Sequence, residues 1–297
     1  MIDGIRISLA SGEELLESIK NSGYRDGILS KKKLHDDSDT GYRSLNVDAL
    51  DFRIGLKRNH VKGSIHKWYN IQRNLDEQNY NDFTFSDVVN AIDMLALVTG
   101  SDEMFISRLE FGFNIETNLC LDDVIKNSFL FYNKSICKEL STFNGKGLLK
   151  RFETSKYDFK VYDKGLQYDL NNEKISTLRI EIVYKTSSEL EKLKIRYLKD
   201  LKNKSKVRGV FLDFLKKFNK MTILDNFDTV SDASKTCMLY KYSNPIYWNM
   251  HFKKISSSFK HRKYREFNTL LSELDLVSTK NLLINKLKEK YIYLINN

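Results

Sequence analysis

The sequence predicts an α+β fold: an antiparallel sheet with helices packed on one face, followed by a basic, helical C-terminal region. Three observations carry that reading. Residues 105–116, 156–164 and 177–185 alternate polar and apolar side chains with the two-residue period of strands. From residue 186 onward the apolar period becomes helical. The charge changes at the same place, since residues 186–297 carry 23 basic against 11 acidic side chains whereas residues 1–185 carry 26 against 28. The expected division is a first domain over 1–185 and a second over 186–297, with a polyanion as the partner of the second.

At 297 residues, 41% hydrophobic and 30% charged, the chain is long enough to bury a sizeable core and too apolar to be disordered. No apolar run reaches the roughly 18 residues of a membrane-spanning helix. The start, Met1-Ile-Asp-Gly-Ile-Arg6, has no basic patch followed by an apolar core, so a cytoplasmic protein without a membrane partner is expected. Cys120, Cys137 and Cys237 are too scattered for a disulfide framework or a zinc cluster, and small buried or half-buried roles are expected for them. The sequence has no Gly-x-x-x-x-Gly-Lys loop and no Gly-x-Gly-x-x-Gly fingerprint, which argues against nucleotide-driven chemistry.

Taken in order, residues 2–9 alternate as a first strand, Gly12–Ile19 follows as a short helix, and residues 25–42 read as a loop. Residues 51–57 and 61–69 suggest two strands joined by a tight polar turn at Arg58-Asn-His60. His66 would share a face with Ser64 and Trp68, as a metal ligand, a phosphate contact or simply a hydrogen-bonded surface histidine. Thr84-Phe-Ser-Asp87 has the spacing of a helix N-terminus, with Phe85, Val88, Val89, Ile92, Leu95 and Ala96 on one stripe and Gly100 as the stop. In the strand after it, Leu109, Phe111, Phe113 and Ile115 point one way, and Arg108, Glu110, Gly112, Asn114 and Glu116 the other. Gly112 lets a backbone or a ligand come close. A second packing helix is expected over 121–132 and a short strand over 150–154.

In the strand 156–164, Phe159 and Val161 share one face while Lys160, Tyr162 and Lys164 share the other. A tyrosine among lysines on an open strand face suits a nucleophile that attacks a phosphodiester. Tyr157, five residues earlier, is the rival and would project from the opposite face. Residues 177–185 repeat the pattern, with Arg179, Glu181 and Lys185 outward. If the three strands are neighbours, Glu110, Tyr162 and Glu181 converge. Beyond residue 186, apolar stripes at Val207–Phe218, Tyr264–Leu274 and Ile284–Leu294 read as core-packing helices, and Pro245 as a break between helices. The basic run Lys253, Lys254, Lys260, His261, Arg262, Lys263 and Arg265 is the candidate for lying along a phosphate backbone.

The order of these motifs resembles the rolling-circle replication initiators of plasmids and filamentous phages, the plasmid Rep and phage gene II protein type. The residues that carry the resemblance are Gly63-Ser-Ile-His-Lys67, Asn81-Asp-Phe-Thr-Phe-Ser86, Ser107-Arg-Leu-Glu-Phe-Gly-Phe-Asn114, Phe159-Lys-Val-Tyr-Asp-Lys-Gly165 and Leu178-Arg-Ile-Glu181. The resemblance implies a DNA endonuclease and strand transferase that nicks an origin and joins itself to the DNA through a tyrosine. It implies Tyr162 as nucleophile with Lys164 and Lys160 beside it, and a divalent metal, Mg²⁺ or Mn²⁺, held by Glu110 and Glu181. Asn114 stands where a second acid is often found on the first strand, so Asn114, Glu116 or His66 would complete that metal site. A host helicase is the further partner implied, and a homodimer stays open. Two other readings fit the same residues: a DNA-binding initiator or regulator without catalysis, and a mobilisation relaxase.

Overall fold

The computed structural model describes residues 1–9, 34–37, 42–55, 59–131, 141–143, 145–170, 175–251 and 256–297. The helix expected over 12–19, most of the loop expected over 25–42, and Lys253 and Lys254 lie outside the described residues.

Twelve strands are present among them: β1 (Ile2–Leu9), β2 (Leu34–Asp37), β3 (Tyr42–Val47), β4 (Leu50–Gly55), β5 (Asn59–Ser64), β6 (Phe105–Thr117), β7 (Ser128–Phe131), β8 (Ser141–Phe143), β9 (Lys146–Glu153), β10 (Tyr157–Asp163), β11 (Ser176–Tyr184) and β12 (Met221–Ile223). Ten of them form one sheet in the order β2-β3-β4-β5-β1-β6-β11-β10-β9-β8, and β7 pairs with β12 apart from it. Every neighbouring pair is antiparallel. The expected α+β architecture with a large antiparallel sheet is therefore present.

The alternation read from β6, β10 and β11 is the alternation of the sheet. Phe111, Phe113, Phe159, Val161, Ile180 and Ile182 are all buried in the main core. The helix Phe85–Thr99 begins and ends where its sequence says. Thr84 and Asp87 form a reciprocal capping box, and Gly100 closes the helix at φ +80°, a left-handed conformation that glycine adopts without steric cost.

Several local expectations fail. The described part of the loop expected over 25–42 includes the strand β2, Leu34–Asp37, and Asn59 and His60 of the expected turn already belong to β5. The strand expected over 61–69 stops at Ser64, whose hydroxyl accepts from the Lys67 amide at 3.1 Å and caps a helix, Ile65–Gln72. His66 therefore does not share a strand face with Ser64. The helix expected over 121–132 ends at Lys126, because the next residues pair as β7 with β12, a partner some ninety residues later. Cys120 and Cys237 are exposed free thiols rather than buried residues.

The expected boundary at residue 185 does not coincide with a division between cores. The helix Lys204–Phe218 packs against the apolar face of the sheet. Phe214 meets Phe111, Phe113 and Phe159 at ring-centroid distances of 5.9, 5.4 and 5.5 Å. Phe211 stacks on Tyr291 of the helix Ser278–Asn296 at 3.8 Å, which brings that helix into the same core. A second, smaller core gathers Leu224, Leu239, Tyr242, Trp248, Phe267, Leu270, Leu271 and Leu276, between those two helices in the chain. The switch of period at residue 186 thus marks the helices that cover the sheet. Among the described residues no helix is long and apolar enough to cross a membrane.

Truncating Phe214 to alanine removes an aromatic ring from the centre of the main core. Phe214→Ala is expected to lower unfolding free energy by about 3–5 kcal/mol in urea denaturation. A loss under about 1 kcal/mol would show that the helix is not part of the core of the sheet.

Candidate active site

The face of the sheet opposite the helices carries a cleft of about 760 Å³. Its floor is built by cross-strand register. Lys160 lies opposite Glu181, and Tyr162 opposite Arg179. Arg179 in turn lies opposite Asn114, and Glu181 opposite Gly112. Because β1, β6, β11 and β10 are successive neighbours, their outward residues meet, and on β1 a register shift between Ile2 and Ile5 brings Asp3 to the same face as Arg6. Asp3, Glu110, Glu181, Lys160, Tyr162 and Lys164 all line the cleft.

Two glycines make room for the acids. A Cβ on Gly112 would stand 2.5 Å from the Cβ of Glu181 and 2.6 Å from the carbonyl oxygen of Ile180. A Cβ on Gly4 would meet the Glu110 carboxyl carbon at 2.6 Å. The close approach expected at Gly112 is therefore made by the chain's own Glu181.

Arg179, nearly inaccessible, is the hub of the floor. Its Nε donates to Glu181 Oε2 at 2.8 Å, its Nη1 to Asn114 Oδ1 at 2.9 Å and its Nη2 to Asp3 Oδ2 at 2.9 Å. Lys160 Nζ donates to the other oxygen of Glu181 at 2.7 Å, and the Tyr162 hydroxyl donates to Glu181 Oε2 at 3.3 Å. Asp3 also accepts from Ser64 Oγ and, at 2.6 Å, from Asn79 Nδ2. Lys164 opens a one-turn helix, Lys164–Gln167, and donates to Asn79 Oδ1 at 2.6 Å, where Tyr168 also donates at 3.0 Å.

Burial and charge act in opposite senses on these groups. Burial alone would raise the carboxyl of Glu181, which is 2% exposed, but Lys160 and Arg179 outweigh it and bring the pKa down to about 2. Burial is also the largest influence on Asp3, and Arg179 with further cationic neighbours outweighs it to hold that acid well below the carboxylate range. Glu110 moves the other way, raised by burial and then by the charge of Glu181. Burial followed by Glu181 also raises the Tyr162 phenol well above its ordinary value. Burial, seconded by Arg179, lowers the Lys164 ammonium to about 7.

The structure thus brings together Tyr162, Lys160, Lys164, Glu110 and Glu181. Asn114 does not line the cleft and is fully engaged: besides accepting from Arg179, its amide donates to the carbonyls of Asn79 and Tyr80 at 3.1 and 2.9 Å. His66 is withdrawn. It stacks on Phe83 at 4.5 Å, its Nε2 bonds Asn81 Oδ1 at 2.9 Å, and burial lowers its pKa to about 3. Tyr157 lies on the apolar side, with Lys217 Nζ 4.7 Å above its ring. Lys260, Arg262, Lys263 and Arg265 are on the helix Ser257–Glu273 and none of them lines the cleft. Arg262 and Lys263 there pair with Glu266 at 3.8 and 2.6 Å.

Asp3, Asn79 and Tyr168 were missed. Asp3 has the parity of the inward Ile5 and Ile7, and it reaches the open face only through a register shift between Ile2 and Ile5 that the alternation of 2–9 does not reveal. Nothing local marks Asn79, whose position depends on the fold. Among the described residues no three His, Cys, Asp or Glu side chains form a group that could hold a metal ion.

No family model and no curated protein matches the sequence. Among solved structures, a rolling circle replication initiator protein from Geobacillus stearothermophilus aligns over 78% of this chain and 89% of its own, with a TM-score of 0.43 and 11% sequence identity. A likeness of that size is too slight to assign an activity.

Two outcomes test this geometry. Gly112→Ala is expected to displace the Glu181 side chain, read as loss of the Lys160–Glu181 contact in a structure of the variant. The second concerns His66, whose pKa in the fold lies below its unfolded value of 6.5. Its contribution to stability is complete above pH 6.5 and is lost as pH falls from there towards 3, because the unfolded imidazole takes a proton that the folded one refuses. Between pH 7.5 and pH 5 this amounts to about 2 kcal/mol, and His66→Phe should remove that slope in urea titrations at the two pH values.

Proposed function

We propose that the chain is a rolling-circle replication initiator that nicks one DNA strand at an origin. The observation that carries this reading is the convergence on one cleft of Tyr162, Glu181, Glu110 and Lys160 from three adjacent strands and of Lys164 from the helical turn that follows β10. The motif order that resembles plasmid and phage initiators supports it from the sequence side.

In the proposed reaction DNA binding first draws Lys160 away from Glu181 and so raises the basicity of that carboxylate. The Tyr162 oxygen then attacks the scissile phosphorus and its proton passes to Glu181, its resting hydrogen-bond partner at 3.3 Å. The bond from phosphorus to the 3′-oxygen breaks, leaving a 5′-phosphotyrosyl ester and a free 3′-OH that primes synthesis. Lys164, with a pKa of about 7, supplies the proton to the departing 3′-oxygen and recovers it when the strand is rejoined. The ester keeps the energy of the broken bond, so rejoining needs no nucleotide.

Glu110 and Glu181 fit a hard divalent cation in their chemistry. They are two carboxylates whose charges repel each other, and the Lys160 ammonium, held charged by Glu181 and Glu110 against its own burial, now compensates both. Magnesium is commonly held by one or two carboxylates together with substrate phosphates. Mg²⁺ or Mn²⁺ bound there would neutralise charge at the scissile phosphate. Asn114 and His66 are not proposed as ligands, since each is committed to the protein's own hydrogen bonds.

One observation favours a second reading, a DNA-binding initiator without chemistry. Tyr162 is 3% exposed and its phenol is held protonated, so attack requires the Lys160–Glu181–Tyr162 contacts to rearrange when DNA arrives. The two readings separate in one assay. With an origin oligonucleotide and Mg²⁺ or Mn²⁺, the native chain is expected to form a covalent protein–DNA adduct visible on a denaturing gel. Tyr162→Phe should form none while its binding affinity stays within about twofold. A Tyr162→Phe variant that still forms the adduct excludes this nucleophile, and a native chain that binds but never cleaves supports the second reading.

A further inference from the structure

The open face of the sheet continues beyond the cleft towards β4, and it becomes cationic there. Arg6 on β1 lies opposite Arg108 on β6 and opposite Lys62 on β5. Lys62 and His60 lie opposite Asp51 and Arg53 on β4. The residues of opposite parity, Ile7, Val61 and Phe52, are buried in the main core. Arg6, Lys62, His60 and Arg53 therefore share the face that carries Glu110. Arg6, Lys62 and Arg108 line the same cleft as Tyr162.

Cations outnumber acids there: Arg6, Lys62, Arg53 and Arg108 meet three carboxylates, Asp48, Asp51 and Glu110. Arg108 is matched by Glu110 at 2.7 Å. Arg53 and Lys62 share a single acid, Asp51, at 2.9 and 3.4 Å. Arg6 adds another cation and forms no ion pair among the described residues. His60 registers the local field, since burial and then Arg6, Arg53 and Lys62 push its imidazole below the ordinary value.

We propose that a single strand of DNA leaving the Tyr162 cleft crosses β6, β1, β5 and β4 with its phosphates against Arg6, Lys62 and Arg53. Those four strands span three spacings of about 4.8 Å, roughly 14 Å, enough for a few phosphates. A single strand is the occupant that fits, because Tyr162 and Glu181 lie on the floor of a cleft no larger than a drug-sized pocket, which a duplex cannot enter. The origin of the path at Tyr162 rests on the nuclease reading, whereas the cationic surface stands on the register alone. This places strand binding on the sheet, not on the basic helix that the sequence singles out.

The test measures binding of a labelled single-stranded oligonucleotide by fluorescence anisotropy between about 50 and 200 mM salt. The double variant Arg6→Ala/Lys62→Ala is expected to bind about tenfold more weakly at the lowest salt and to lose about 1.4 from the slope of log K against log salt, near 0.7 for each phosphate contact. The charge-retaining double variant Arg6→Lys/Lys62→Arg should keep the native slope. Lys288→Ala, at an exposed lysine of the helix Ser278–Asn296, should leave single-strand binding unchanged. An alanine variant with native circular dichroism and an unchanged slope overturns the proposal, as does a loss confined to duplex DNA. Adduct formation is scored separately: an adduct with an unchanged slope sinks the path alone, and a lost slope without any adduct sinks the nuclease reading alone.

Discussion

The polar face depends on one buried cation. Arg179 is held by Asp3 from β1, Asn114 from β6 and Glu181 from its own strand, so that three strands of the sheet share one guanidinium. A guanidinium is suited to this because its donors are fixed in a plane and it stays charged even when buried. Removing water from an ion of this size is costly, and the three acceptors offset that cost only while all are in place. With Arg179 absent, Asp3 and Glu181 would be two buried carboxylates facing one cleft with only Lys160 as a close ionic partner, and each would lose a main influence that holds it low.

That hub also sets the resting state of the cleft. The acid that accepts from Tyr162 is the same acid that Arg179 and Lys160 hold low, while burial holds the phenol high. A proton on the phenol therefore has nowhere favourable to go. Any reaction through Tyr162 must draw on substrate binding to change those contacts, which ties turnover to correct engagement rather than to the intrinsic reactivity of the group.

Much of this was legible because side chains alternate along the regular strands β10 and β11 and along β6 from Arg108 onward. The parity of β6, β10 and β11 placed Glu110, Tyr162 and Glu181 on one face and Tyr157 on the other before any coordinates were considered. What the pattern could not supply is strand order. Asp3 joins the site only because β1 inserts between β5 and β6, and Asn79 only because its segment folds over the same face. His66 was misplaced because a serine hydroxyl turned a strand into a helix one residue earlier. Charge was legible in sum and not in place. The basic helices after residue 186 dominate the count, yet some of the cations nearest the cleft come from β1, β5 and β6, where acids of the buried floor hide them in the total.

The sheet's connectivity has a kinetic consequence. The bond from Arg179 to Asp3 closes a loop of 176 residues, and β6, at the centre of the sheet, pairs with β1 far before it and β11 far after it. Contacts so distant in sequence form only after much of the chain's freedom is lost, which places such topologies among slow folders. Until β1 docks, β6 presents an unpaired edge, and the nascent polypeptide carries a long aromatic-rich strand open to pairing with other chains. Crowded synthesis at high copy should therefore favour aggregation of this chain over misassembly of its cleft.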